Sequence, residues 1–402
     1  MLISISSINK HNPIIESFLA LKKVNSMSVE IKAINPTKSE LRKFVKFGTD
    51  HYNDNPYFVP PLVLDDINTL SPSKNPAFEY CEAQSFMAYR DGKPVGRITG
   101  IINHNVNKRT GENDLRFGFV EFIDDAEVVD ALFDAVSKWG KEKGMTSIVG
   151  PMGFSDLDHE GMLIEGFDRI GTMATIYNYE YYPKHMERMG FEKDADWVEY
   201  LLEVPKEIPE KHKRIADIVR QKYGLRNVHF KSRKLLKDKY GHALFDLINE
   251  AYDGLYGYSP LSPKQIDHYI DLYLGILRLD DISVVVDKDD NLIGVGISIA
   301  SFSRALQKNR GRLFPFGWRH MIAPLRGKVD VVDLLLIAVK PEYQNKGVNA
   351  LLFTDLIPSY NRTGYKYAES NVELEGNSSV QRQWDYFSYT QHKRRRSFKK
   401  TL

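Results

Sequence analysis

Two stretches of this 402-residue chain hold residue types and spacings that can do chemistry. The first is VDLLLIAVKPEYQNKGVNALLF, residues 332–353. An apolar strand stops near Val339, Pro341 and Gly347 shape a tight loop, and a helix begins near Val348 or Asn349 and continues through Ala350. A loop that closes on a helix start leaves several backbone N–H groups pointing one way, with the positive end of the helix dipole behind them. Such a mouth suits a pyrophosphate. Its candidate residues are Val339, Gln344, Asn345, Lys346, Gly347, Val348, Asn349 and Ala350. A plain strand-to-helix turn is the alternative reading of the same residues.

The second stretch is GPMGFSDLDHEGMLIEGFD, residues 150–168, followed by YNYEYYPKHMERMGFEK at 177–193. Glycine, small polar and acidic residues crowd it, as in a long irregular loop over strand ends, where sites are often built. His159 and Glu160 can form an acid–base pair, and Asp156, Asp158 and Glu160 can orient an amine. The same side chains can instead satisfy turn backbone.

These residues need elements to hold them, and two regions repeat one order of signals. QSFMAYRDGKPVGRITGII (84–102) and ISVVVDKDDNLIGVGISIA (282–300) each read as a β-hairpin around a turn rich in Asp, Asn or Gly. In the first region a strand at 117–123 precedes a helix whose apolar positions Val128, Leu132, Val136 and Trp139 recur at helical spacing before Gly144. In the second a strand at 331–339 precedes a helix that Gly364 stops, and strands TSIVG and KYAESNV follow the two helices. Strand, helix, parallel strand is the βαβ unit. The expected fold is therefore α/β (α+β): two tandem domains, each a mixed twisted sheet flanked by helices. Charge and proline at 203–214 read as a linker. This gives an N-terminal extension at 1–27, a first domain at 28–205 and a second at 206–402. The extension holds an Asn12-Pro13 turn and an amphipathic stretch at 14–24, and Met27 can equally be the start.

The 344–349 loop carries a resemblance. In GNAT acetyltransferases the loop after the fourth strand reads Arg or Gln, two residues, Gly, one residue, then Gly or Ala, and Gln344, Gly347 and Asn349 stand at those places. Asn349 departs from the pattern, and its side chain narrows the room for phosphate. KYAESNVELEGNSSVQRQWDYF, with Asn371 ending a strand and Asn377 as helix N-cap, resembles the fifth strand and following helix that lie against coenzyme A. The resemblance implies an acyl-CoA co-substrate bound by the second half and N-acylation of a primary amine held between the halves. Where many relatives place a tyrosine that protonates the departing thiolate, this chain has Trp384, which is not an acid. Tyr386 and Tyr389 are the nearby substitutes, and Asp333, Glu373 or Glu375 the candidate bases. In the first half Asp124 and Asp125 occupy the matching strand-to-helix passage, and two carboxylates repel a pyrophosphate. That half is not expected to bind coenzyme A in the usual way.

The stretches at 150–168 and 177–193, with GRLFPFGWRHMIAPLRGK at 311–328, resemble a bacterial group of tandem GNAT-like proteins related to bacterial ceramide synthases. This implies a long-chain acyl donor and a lipid-like amine. The run Leu313, Phe314, Phe316, Trp318, Met321, Ile322 suits an apolar groove wall or an interfacial loop. The basic tail QHKRRRSFKK (391–400) can touch anionic head groups, or form a terminal strand with alternating exposed basic residues.

Composition sets the outer bounds. With 55 basic and 53 acidic residues the net charge is +2, and no overall field selects nucleic acid. No metal is expected. The lone Cys81 cannot form an internal disulfide, has no base beside it in sequence and reads as a buried thiol. No apolar run approaches a membrane span or a signal-peptide core, which places the chain in the cytoplasm. Two further readings stay open: short-chain acetyl transfer to a small amine or peptide, and a degenerate GNAT-like pair serving as a ligand-binding protein.

Overall fold

The structure, a computed structural model, describes residues 28–273 and 275–402. The expectations for 1–27 lie outside the described residues. In the first half the strands are β1 (Glu30–Ile34), β2 (Cys81–Arg90), β3 (Lys93–Asn103), β4 (Asp114–Phe122), β5 (Ser147–Gly150), the short β6 (Met162–Glu165) and β7 (Glu192–Glu203). In the second they are β8 (Arg226–Val228), β9 (Ile282–Val286), β10 (Leu292–Ala300), β11 (Val331–Val339), β12 (Tyr367–Ser370), the short β13 (Glu373–Leu374) and β14 (Tyr389–Thr401). Both hairpins form as read. Asp91 and Gly92 take φ of 51° and 72°, the left-handed pair that a two-residue hairpin turn demands, and Asp290 takes 65° in the second turn.

Parallel pairing occurs at β4 with β5 and at β11 with β12, across the two βαβ helices. Helix Ala126–Glu142 buries Val128, Leu132, Phe133 and Val136, and helix Val348–Thr363 buries Leu351, Leu352 and Leu356. Gly364, at φ 94°, ends the second helix.

The strands of the described residues belong to one sheet, with twelve in the order β1-β2-β3-β4-β5-β14-β7-β12-β11-β10-β9-β8 and, off this path, β6 on β14 and β13 on β7. Each half has thus given its last long strand to the other. β14, from the second half, pairs with β5 and β7, while β7, from the first, pairs with β14 and β12. The linker at 203–214 leads out of β7 into helix Glu210–Tyr223.

The basic tail is therefore the middle of the sheet. Lys393 and Arg395 point inward and are almost wholly buried with Glu199. Arg395 Nε donates to Glu199 Oε1 at 2.5 Å, and Lys393 Nζ donates to Glu199 Oε2 at 3.3 Å and to Glu369. On the opposite face Arg394 and Arg396 bond Asp196. The tail is a strand, as one of its two readings had it, but its cations from Lys393 to Arg396 are paired with carboxylates of the fold. Among the described residues no helix is long and apolar enough to cross a membrane.

Burial alone would raise the Glu199 carboxyl, but Arg395 and Lys393 outweigh it and hold the pKa below the ordinary carboxylate range. A depressed folded pKa contributes stability that is present above the unfolded value and lost as pH falls through the folded one. Glu199→Ala leaves two buried cations without their shared partner and should lower the unfolding free energy by about 3–5 kcal/mol. Urea denaturation at neutral and acid pH checks both points, since the deficit should shrink as Glu199 of the parent protein protonates.

Candidate active site

The loop after β11 builds an open helix mouth. Gln344 Nε2 donates to the Val339 carbonyl at 3.1 Å and closes the loop on its strand. Asn345 (φ 59°) and Gly347 (φ 84°) are both left-handed and flank Lys346, a backbone pattern that turns successive N–H groups to one side. Gly347 is the N-cap of helix Val348–Thr363 and supplies no side-chain cap. The N–H groups of Gln344, Lys346 and Ala350 are used internally, on Lys340, Tyr343 and Gly347. Those of Asn345, Gly347, Val348 and Asn349 have no hydrogen-bond acceptor among the described residues. The eight sequence candidates thus divide into four free amides and four residues that shape the loop. Asn349, in the place usually held by a small residue, sends its amide group sideways to Gln383 at 3.3 Å.

The matching helix of the first half has the opposite chemistry. Asp125 caps Ala126–Glu142, accepting from the N–H groups of Glu127 (3.0 Å) and Val128 (3.3 Å), and Arg90 bonds the same carboxylate at 2.6 Å. The mouth is filled by a fixed anion, and no external diphosphate can take its place without displacing it.

Beside the open mouth the sheet splits. β11 and β12 pair only from Val331–Tyr367 to Leu334–Ser370, after which β13 pairs with β7 instead. Asn371 spans the fork, donating its N–H to the Leu334 carbonyl and its side-chain amide to that of Leu335. Leu335 is also the extra residue of a bulge against β10, whose register jumps between Ile297 and Ser298. A bulge stands at the corresponding place in β4, where Phe119 takes φ 46° and the β3 register jumps between Arg97 and Thr99. Both bulges and the fork border one cavity of about 610 Å³ shared by the two halves.

Its two ends differ. At the fork, Glu373 accepts a hydrogen bond from the Trp384 indole at 2.9 Å, while its second oxygen is buried with no partner among the described residues. Burial pushes this carboxyl up to about 7 even though the indole bond favours the charged form. At the first-half end stand Asp156, Asp158, His159 and Glu160, with Asp65 and Asp66 opposite. Burial raises Asp156 to about 7 and Asp158 to about 6. Burial, then the neighbouring Asp156, pushes Glu160 well above the usual range. One Asp156 oxygen has no partner among the described residues. His159 donates its Nε2–H to the Met173 carbonyl at 3.0 Å, which leaves Nδ1 as the acceptor of a neutral ring, and burial depresses its pKa. His159 and Glu160 share the cavity, but no hydrogen bond joins them.

Three candidates lie away from this cavity. Asp333, on the face of β11 turned toward Glu369, is buried beside the Lys393 cluster, and burial followed by Glu369 raises its pKa strongly. Tyr386 is half exposed, with its hydroxyl taken by Lys211, and Tyr389 stacks edge-on against Tyr200 on the outer face. Neither tyrosine lines the cavity: Tyr386 ends the helical turn Arg382–Tyr386 with its hydroxyl on Lys211, and Tyr389 opens β14. Asn377 caps the short helix Ser378–Gln381 as expected and borders the cavity. Glu375 binds Lys193 and Arg394 at the surface. Cys81 is buried, and burial pushes its thiol up to about 12, too high for a nucleophile. Glu199, Glu369 and His392 have donor atoms within 4.8 Å of one another, but Lys393 already bonds both carboxylates and Arg395 one of them, so a metal ion would have to displace buried cations.

Sequence reasoning passed over helices Arg233–Tyr252 and Pro263–Tyr273, which wall the cavity with Leu244, Phe245, Ile248, Tyr252, Tyr269 and Tyr273. The spacing of Leu236, Tyr240, Leu244 and Ile248 was the available signal. The Trp384–Glu373 bond had none, since it depends on how β13 leaves the fork.

No family model matches the chain. It is 26% identical over 371 residues to Protein YghO of Escherichia coli (strain K12), covering 91% of this chain and 94% of that protein. It is 27% identical over 377 residues to the bacterial ceramide synthase of Caulobacter vibrioides, covering 91% and 96%. Among solved structures, a tandem GNAT protein from the clavulanic acid biosynthesis pathway superposes with a TM-score of 0.55 at 11% identity, over 93% of this chain and 98% of that one. The chain has the tandem GNAT fold expected from its loop and strand pattern, a mixed sheet flanked by helices, and is similar along most of its length to the bacterial ceramide synthase.

The contrast between the two helix mouths can be measured directly. Titrating inorganic pyrophosphate into 15N-labelled protein should move the amide resonances of Asn345, Gly347, Val348 and Asn349 and leave those of Glu127 and Val128 in place.

Proposed function

We propose that this protein is an acyl-CoA-dependent N-acyltransferase whose second half holds the acyl-CoA and whose shared cavity holds a primary amine. One observation carries the reading: a single cavity joins the fork, whose wall residue Gln383 bonds Asn349 of the helix mouth with its four free amides, to a cluster of buried carboxyl groups. The amides and the helix dipole suit the diphosphate of coenzyme A, and the fork gives its thioester arm a path into the sheet. The carboxyl cluster suits an ammonium at the far end, where Asp156 and Glu160 together favour a cation.

Glu373 is the group at the fork with the right chemistry. With a pKa near 7 it can accept the proton that the amine nitrogen loses as its bond to the thioester carbonyl carbon forms. The carbon–sulfur bond then breaks, and the same carboxyl can return that proton to the thiolate. This sequence needs no tyrosine, and it gives Trp384 a role as the donor that orients Glu373. Aliphatic and aromatic walls from helices Arg233–Tyr252 and Pro263–Tyr273, together with the similarity to a bacterial ceramide synthase, support a long acyl chain and a lipid-like acceptor. Short-chain acetyl transfer would leave most of those walls without contact.

Calorimetric titration with acetyl-CoA and palmitoyl-CoA, followed by thiol release in the presence of a long-chain amino alcohol, tests the proposal. Tight binding of palmitoyl-CoA with acceptor-dependent thiol release is the expected result, and absence of binding by either thioester would sink it. The value of kcat/KM should rise with pH through about 7, where Glu373 ionises. Glu373→Gln should remove that limb and lower the rate roughly 10²–10⁴-fold. Trp384→Phe deletes a bond that favours the ionised form and should move the limb to higher pH. Lys346→Glu, exposed beside the mouth, should weaken acyl-CoA binding about tenfold at low salt and less at high salt, with the thermal midpoint unchanged.

A further inference from the structure

Between Ser301 and Val329 the chain holds no acidic residue, although it has 53 in all. Over the same span Arg304, Lys308, Arg310, Arg312, Arg319, Arg326 and Lys328 are all exposed, and none forms an ion pair with a described residue; the pairs flanking the span involve Arg278, Lys340 and Lys366. Among these cations sit the most exposed aromatic side chains of the described protein. Phe314 is 79% exposed, Phe316 63% and Trp318 46%, with Leu325 at 40% nearby. Arg319 lies over two of the rings, 5.0 Å from Phe316 and 5.9 Å from Trp318.

The segment is held by internal bonds. Leu313 and Met321 pack into the core, Asn309 Oδ1 accepts from the Gly311 N–H at 2.9 Å, and the Trp318 N–H donates to the Leu313 carbonyl at 2.8 Å. A Cβ on Gly317 would meet the Arg312 carbonyl oxygen at 1.8 Å, so the tight turn depends on glycine there. Exposed rings on a fixed turn cannot fold away from water, which is costly without something to cover them. The cations specify the cover: seven positive charges without a carboxylate partner among the described residues match a surface of phosphate groups. Duplex DNA would use the cations and leave the rings and Leu325 in water. A bilayer interface takes both, with rings at headgroup depth and Arg and Lys at the phosphates.

We propose that residues 304–328 dock this protein on bilayers containing anionic phospholipid, with Phe314, Phe316 and Trp318 inserted among the head groups. The surface adjoins the cavity. The Gly311 carbonyl accepts from the Val63 N–H at 3.0 Å, and Pro61 and Leu62 line the cavity wall. Passage of a lipid-like acceptor from the bilayer to the cavity rests on the function proposed above; the docking itself does not.

Co-sedimentation of the full-length protein with phosphatidylcholine vesicles, with and without phosphatidylglycerol, tests it. Binding to the anionic vesicles alone is expected, and it should weaken as salt rises. The triple variant Phe314→Ser, Phe316→Ser, Trp318→Ser should partition at least about tenfold less. Arg319→Gln and Arg326→Gln should each cost about fivefold. Leu235→Ser, an exposed leucine outside the segment, should partition like the parent. All these positions are exposed, and circular dichroism melts should confirm that the variants fold. Docking is overturned if the parent ignores anionic vesicles, if the triple variant binds them as the parent does, or if duplex DNA is retained and vesicles are not. Palmitoyl-CoA titration of the parent protein separates the two proposals: vesicle binding by the parent without acyl-CoA binding keeps the docking and removes the transferase reading.

Discussion

Glu199, held between Lys393 and Arg395 at the crossing of β7 and β14, is the interaction around which the two halves are assembled. Both strands are long, and each leaves the half that encodes it to hydrogen-bond with the other. Backbone pairing alone does not specify this register, because a strand slipped by two residues keeps its faces and most of its ladder. Three buried charges do specify it. A slip would separate them in a medium where an unpaired ion is very costly. The continuous sheet that results brings the fork in β11 and β12 and the acidic loop of the first half onto one cavity.

Pseudo-symmetry makes the differences between the halves informative. Each half carries a parallel βαβ unit, a bulge in the strand before its helix and a helix start facing outward. At one start Asp125 fills the mouth with its own carboxylate; at the other Gly347 leaves four amides free. The first half keeps the bulge, fills its helix mouth with Asp125, and contributes Asp156, Asp158, His159 and Glu160 to the shared cavity.

The hairpins, the two βαβ helices and the open mouth at 344–349 were legible in the chain, since each depends on residues close in sequence: Asp91-Gly92 for a turn, Gly347 and Gly364 for the ends of a helix, Asp125 for a cap. So was the collection of Asp156, Asp158, His159 and Glu160 in a single loop. The catalytic assignments read less well. Asp333, Tyr386 and Tyr389 have suitable chemistry and suitable sequence positions, and the fold directs them into the ion cluster or onto the outer face. Glu373 looked equivalent to Glu375, and only burial separates them, one beside an indole at the fork and the other bound by Lys193 and Arg394 in water.

By itself the sequence determined the two hairpins, the two βαβ units, the ends of their helices, and which of the two helix starts carries a capping carboxylate. These are matters of backbone geometry and of side chains a few residues apart. Tertiary structure decided the exchange of β7 and β14, the meeting of the two halves around one cavity, and the carboxyl that sits at the fork near neutrality. The reason is physical: strand partners, burial and the pKa values that follow from burial depend on residues up to about two hundred positions apart, such as Glu199 and Lys393, and no local pattern encodes such distances.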